Sequence, residues 1–188
     1  MSKVMFLSEA TLKAESILQE NVDMKIVTPT IYDVQNFYVL PILGTSLYNE
    51  ISSQIAAGSV TSLNKTLLDL YITPVMIWYC RFELPMNMNY KYFNKAVGVQ
   101  NADNMTPVTI EEMAYVTDRA KNKAEWYAER LTKYLLQNQT SYPLYLNQTN
   151  LGIDTIFPVR NNYTNGMVIN ETGCGNCRGQ FNFQNIPL

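Results

Sequence analysis

The stretch from Asp23 to Ile55 constrains this chain more than any other, because it holds one sharp corner between two apolar periodicities. Ile31, Val34, Phe37, Tyr38 and Val39 keep near-helical spacing, and Leu47, Ile51 and Ile55 resume it at every fourth residue until Gly58. Between them stand Pro41 and Gly44. Proline lacks a backbone donor and disfavours helical geometry in the residue before it, so Leu40 is expected to leave the helix. Gly44 then supplies the backbone freedom to restart. The expectation is two amphipathic helices broken at a Pro–Gly corner.

The surrounding sequence extends this helical reading. Ser8 is placed to cap a helix over residues 9–19, and Asp23 or Thr28 to cap the next, with Pro29 in its first turn. A linker of small residues, 56–62, precedes a helix expected from Leu63 to Leu84. That helix is apolar nearly all round, so it belongs at the centre of a bundle or against a neighbouring subunit, and Pro74 should kink it. Residues 85–108 read as a long irregular connection suited to an interaction or a lid. Thr109-Ile-Glu-Glu112 then matches a capping box, opening a helix that runs to about residue 139.

Beyond residue 140 the helical period disappears. Only Asp154, Arg160, Glu171 and Arg178 carry charge there, yet large apolar residues continue to the end. Asn165-Gly166 fits a two-residue hairpin turn, and Phe181-Asn-Phe183 alternates as a strand does. The expected fold is therefore all-α: a helical connector domain of four to five helices over residues 1–140, and an extended arm over 141–188. The arm forms a short β-hairpin or adds strands to a partner.

Composition narrows the function. The chain has 16% charged residues against 47% hydrophobic ones, where roughly a quarter charged is usual for soluble domains. So little charge implies that much of the surface is hidden in an assembly. A net charge of -2 argues against a broad basic DNA-binding face. There is no histidine, which removes the commonest general base and zinc ligand. Cys174 and Cys177 form a Cys-x-x-Cys in a glycine-rich setting, with Cys80 a remote third. Structural zinc needs four ligands and a thioredoxin-like redox pair needs the motif to open a helix after a strand, so a turn of small residues is the favoured reading. Glu111 and Glu112 serve a helix N-terminus rather than acid–base chemistry. No catalytic residue, cofactor or metal is expected, and the chain reads as a non-enzyme. No apolar stretch has the length of a signal peptide or of a membrane span, so a soluble protein of a reducing, cytoplasm-like compartment is expected.

Several stretches together resemble one family. They are Asn21-Val-Asp23; Gln35 to Tyr48, with Pro41-Ile-Leu-Gly44-Thr-Ser-Leu-Tyr48; Leu67-Leu-Asp-Leu-Tyr-Ile-Thr-Pro74; Phe93-Asn-Lys-Ala-Val-Gly98; Ala128-Glu-Arg-Leu-Thr-Lys-Tyr-Leu135; and Tyr142-Pro143-Leu-Tyr145. In this order they resemble the helical head–tail connector (adaptor) proteins of tailed bacteriophages, above all the crAss-like phages of Bacteroides. The resemblance implies a homo-oligomeric, dodecameric ring below the portal protein. Such a ring joins head to tail, extends the channel through which dsDNA passes without specific binding, and meets downstream tail or ring proteins. Its place would be the virion's head–tail interface, after assembly in the host cytoplasm, with no membrane. The arm would dock on the portal, with Tyr163, Val168, Ile169, Phe181, Phe183, Ile186 and Leu188 as anchors. Pro41, Gly44, Tyr48, Trp78 and Trp126 would sit at core or inter-subunit packing positions. Two other classes stay open: a small non-enzymatic protein-binding adaptor or assembly factor acting through residues 85–108, and a redox protein using Cys174 and Cys177.

Overall fold

The computed structural model describes residues 3–19, 21–93, 96–99, 109–147 and 152–159. Across them the chain is mostly helical, as the apolar periodicity predicts. Helix α1 (Glu9–Glu15) opens at Ser8, whose Oγ accepts from the Thr11 N–H at 3.0 Å. Helix α2 (Met24–Val34) is capped by Asp23, which accepts from Lys25 N–H at 2.9 Å. Thr28 is therefore not a cap; its hydroxyl donates back to the Met24 carbonyl, and Pro29 lies inside the helix instead of in its first turn.

The corner differs from the expectation in one respect. Leu40 stays helical, with φ -56° and ψ -44°. Residues Gln35–Val39 widen into a π turn that leads directly into α3 (Leu40–Leu43), where Pro41 occupies the first turn. The Leu40 N–H bonds to the Gln35 carbonyl, five residues back. The wider turn moves away the carbonyl that a proline ring would strike, so the chain passes Pro41 without breaking. The break comes at Gly44, where φ is 74° and ψ 159°, and α4 (Thr45–Ala56) leaves in a new direction.

The same device recurs. Helix α5 (Ser62–Leu67) passes through a π turn at Leu68–Ile72 into α6 (Thr73–Asn89), and the Thr73 N–H reaches the Leu68 carbonyl. Tyr38-Val-Leu-Pro41 and Tyr71-Ile-Thr-Pro74 thus repeat one local pattern, aromatic, β-branched residue, spacer, proline. Helix α6 continues past Leu84 and through Pro85 to Asn89, held at its far end by a 3.0 Å bond from Asn87 Nδ2 to Thr30 Oγ1. Part of the expected 85–108 connection is therefore helix, and part is an antiparallel hairpin of β1 (Tyr90–Phe93) and β2 (Ala96–Val99). Helix α7 (Ile110–Gln137) carries the full capping box, with Thr109 and Glu112 bonded reciprocally. The short α8 (Pro143–Leu146) follows.

Helix α6 is the centre of the molecule. Val75, Met76, Ile77, Tyr79, Cys80 and Leu84 are all buried on it. Tyr79, Glu83 and Asn87, four residues apart, meet the first π turn and α2: Tyr38 stacks on Tyr79 at 3.9 Å, and its hydroxyl donates to Glu83 at 2.5 Å. Trp78, turned to the other side of α6 with Arg81 over its ring, meets Lys123 of α7. The layers therefore run α2, α6, α7. Tyr142 and Tyr145 also join the core, so packing continues beyond residue 140.

Candidate functional site

The Pro41–Gly44 corner is built around a buried amide that nothing in the sequence reading singled out. Gln35 is fully buried. Its Oε1 accepts from the Phe6 N–H at 2.8 Å, while its Nε2 donates to the Val4 carbonyl at 3.1 Å and to the Tyr48 hydroxyl at 2.7 Å. The side chain acts as a peptide group does, pairing with the extended N-terminal segment. Tyr48 passes the chain of bonds on to Asn36 Oδ1 at 3.1 Å and packs its ring 4.9 Å from Phe6. Burial is the main cause that raises the Tyr48 pKa, and the Gln35 bond partly offsets it. One signal was available: Ile31, Gln35 and Val39 share one buried register, and a glutamine there needs partners.

On its other side the corner is a socket. Gly44 has no side chain to cap α4, so the first amide of that helix needs a partner from elsewhere. The carbonyl of Ile156 provides it, accepting from the Thr45 N–H at 3.0 Å. The Ile156 N–H donates to Thr45 Oγ1 at 2.8 Å, and the Val159 N–H donates to the Pro41 carbonyl at 2.8 Å. Pro158 is buried beneath. Residues 152–159 are thus clipped onto the corner as an extended segment, and Ile153, Phe157 and Val159 face outward, with Phe157 62% exposed.

The two tryptophans have different settings. Trp78 is half-buried, with the Arg81 guanidinium 4.1 Å and the Lys123 ammonium 4.4 Å from its ring. Trp126 is exposed and edge-on to Tyr127. It borders a cleft of about 300 Å³ with Tyr71, Glu129, Arg130, Lys133 and Tyr134. Tyr71 and Tyr134 stack at 3.8 Å on its wall, and Arg130 lies 4.8 Å from the Tyr71 ring. A second hollow of about 530 Å³ lies by Met5, Met24, Lys25 and Tyr32. The arm anchors Tyr163, Val168, Ile169, Phe181, Phe183, Ile186 and Leu188 lie outside the described residues, as do Cys174, Cys177 and the hairpin expected at Asn165-Gly166.

Chemically these settings offer contact surfaces. Cys80 is buried, and its thiol is pushed up to about 12, first by burial and then by Glu83, so it is held as a neutral thiol. Among the described residues no group of three or more Cys, Asp or Glu converges as a metal site would. No helix there is long and apolar enough to cross a membrane. What fold and surface define is a mostly helical protein with a central helix that carries Pro74 in its first turn and Pro85 in its interior, and several exposed aromatic residues. The chain belongs to the family of unknown function DUF6712, whose model matches residues 39–155, from the end of the first π turn to the clipped segment. No curated protein and no solved structure matches it.

Proposed function

We propose that this chain is a structural virion protein of a tailed bacteriophage, forming a ring between portal and tail that joins the two and extends the DNA channel. The observation that carries the reading is the corner. Its socket holds residues 152–159 against the helical body, fastening the chain at Ile156 and Val159 to the start of α4 and to the Pro41 carbonyl. An arm so anchored can pass strain from a docked partner into the core. The low charge and the exposed Phe37, Tyr115, Trp126 and Phe157 support a surface made for contacts within an assembly. The ordered likeness to head–tail connectors over about residues 8–146 supports the same reading. Portal docking would use Phe181, Phe183, Ile186 and Leu188, and DNA would pass without specific binding.

Immunogold labelling of purified particles of the encoding phage tests this. Label confined to one tail vertex is the expected result, and absence of the chain from particles overturns it. One observation favours a second reading, a non-enzymatic protein-binding adaptor or assembly factor. Tyr142, Tyr145 and Pro158 are buried, so residues 142–147 and 152–159 pack on the folded body. Presence in infected-cell lysate without presence in particles is the outcome that reading requires.

A further inference from the structure

Two exposed faces lie on opposite sides of α6, and each supplies what the other lacks. The outward stripe of α7 runs through Tyr115, Arg119, Asn122, Trp126, Arg130 and Lys133, all exposed. These positions lie three or four residues apart and so share one side of the helix, opposite the buried Ala120, Ala124, Leu131 and Leu135. None of these six positions is acidic, and Glu129, the carboxylate that lines the cleft beside them, is paired with Lys133. Along its C-terminal half opens the cleft of about 300 Å³ walled by Tyr71, Trp126 and Tyr134, at the small end of ligand-pocket volumes. Lys133 at its rim is already held by Glu129 at 2.7 Å. Arg130 has no carboxylate partner among the described residues.

The face beyond α2 is the complement. Phe37, on the first π turn, is 71% exposed, and Asp33 stands exposed one turn before it. Asp33 has no ion-pair partner among the described residues. The chain therefore carries a projecting aromatic beside a carboxylate with no cation partner on one side, and on the other an aromatic-walled cleft whose guanidinium rests over Tyr71 with no carboxylate partner, both among the described residues.

Resting on the ring reading, we propose that the α2 face of one copy seats on the α7 face of the next, with Phe37 entering the Tyr71–Trp126–Tyr134 cleft and Asp33 meeting Arg130. Because the paired faces are different and lie on opposite sides of one molecule, the contact is head-to-tail, the kind that generates rings when its rotation closes. Trp, Tyr and Arg at its centre are the residues in which binding energy concentrates.

The test is self-association of the full chain, followed by mass photometry and sedimentation velocity, with circular dichroism to confirm folding. Asp33→Arg alone and Arg130→Glu alone should each weaken association by at least about tenfold through like-charge juxtaposition. The double reversal should recover to within about threefold of wild type, because it restores the pair in opposite sense. Phe37→Ser changes an exposed position, so it should keep the fold and lose the assembly. A wild type that assembles while Phe37→Ser and both reversals assemble equally well overturns this contact and leaves the ring reading standing. A wild type that stays monomeric at every concentration up to about 1 mM overturns both.

Discussion

At the residue scale, three side-chain positions decide more than their size suggests. Gln35 links the N-terminal segment to α4 through three hydrogen bonds, and replacing it strands buried partners instead of exposing them to water. Gln35→Leu should cost about 2–4 kcal/mol in urea unfolding, since each orphaned buried group costs roughly 1–3 kcal/mol. Gly44 occupies a backbone region that is open to glycine and nearly closed to other residues. Gly44→Ala should lose about 1–3 kcal/mol. Ala at Gly58, where nothing crowds an added Cβ, meets strain only from the positive φ of 65°. Cys80 should resist thiol reagents in a Cys174→Ser/Cys177→Ser chain until the protein unfolds, so its labelling rate reports global opening. Labelling much faster than unfolding would place Cys80 nearer the surface than its burial implies.

At the element scale, the two π turns explain how a chain with Pro41 and Pro74 keeps its long helices. Each widens the helix just upstream of the proline, and each puts one large apolar residue outside, Phe37 in the first and Leu70 in the second. Helix α7 depends on its start as well as its packing. Thr109→Ala removes the capping box and should lower stability by about 1 kcal/mol, seen as a shift in the urea midpoint with an unchanged slope. Lys123 ties the α6–α7 seam at Trp78, whose ring also carries Arg81 of its own helix, so Trp78→Leu should cost more than its lost area alone, and the excess should shrink when Lys123 is already Ala.

At the scale of the whole molecule, the last described segments are part of the fold. Tyr142 sits in the core with its hydroxyl donating to the Leu63 carbonyl at 3.2 Å, and Tyr145 is fully buried. A chain ending at residue 159 should melt close to the full-length protein. One ending at residue 140 loses two buried aromatics, worth about 3 kcal/mol or more each, and should unfold at far lower urea. The molecule should also be sensitive to alkali. Burial raises the Cys80 thiol from 9.0 and the Tyr79 phenol from 10.0, both to about 12, and raises Tyr38 and Tyr142 further. The folded state keeps these groups neutral while the unfolded chain releases their protons sooner. Their contribution is therefore complete below about pH 9 and is lost as pH rises toward about 12. Urea midpoints measured from pH 8 to 11 should fall, and a flat profile would show these groups to be ionised without cost.

The sequence by itself determined the helical character, the capping of α1 and α7, the central place of α6 and the restart at Gly44. All of these follow from local chemistry: apolar period, a side-chain oxygen aimed at orphan amides, an all-round apolar helix, and a residue without Cβ. The tertiary structure alone decided three things. Leu40 remained helical because a π turn, stabilised by Gln35 and its partners in the N-terminal segment and α4, absorbed the proline. Helix α6 continued through Pro85 because its far end is bonded to Thr30, more than fifty residues away in the chain. Residues 152–159 returned to the corner because the start of α4 and Pro41 of α3 left backbone groups that a distant segment satisfies. Local preference sets which elements form, and the unpaired groups they leave behind set which distant residues must come to meet them.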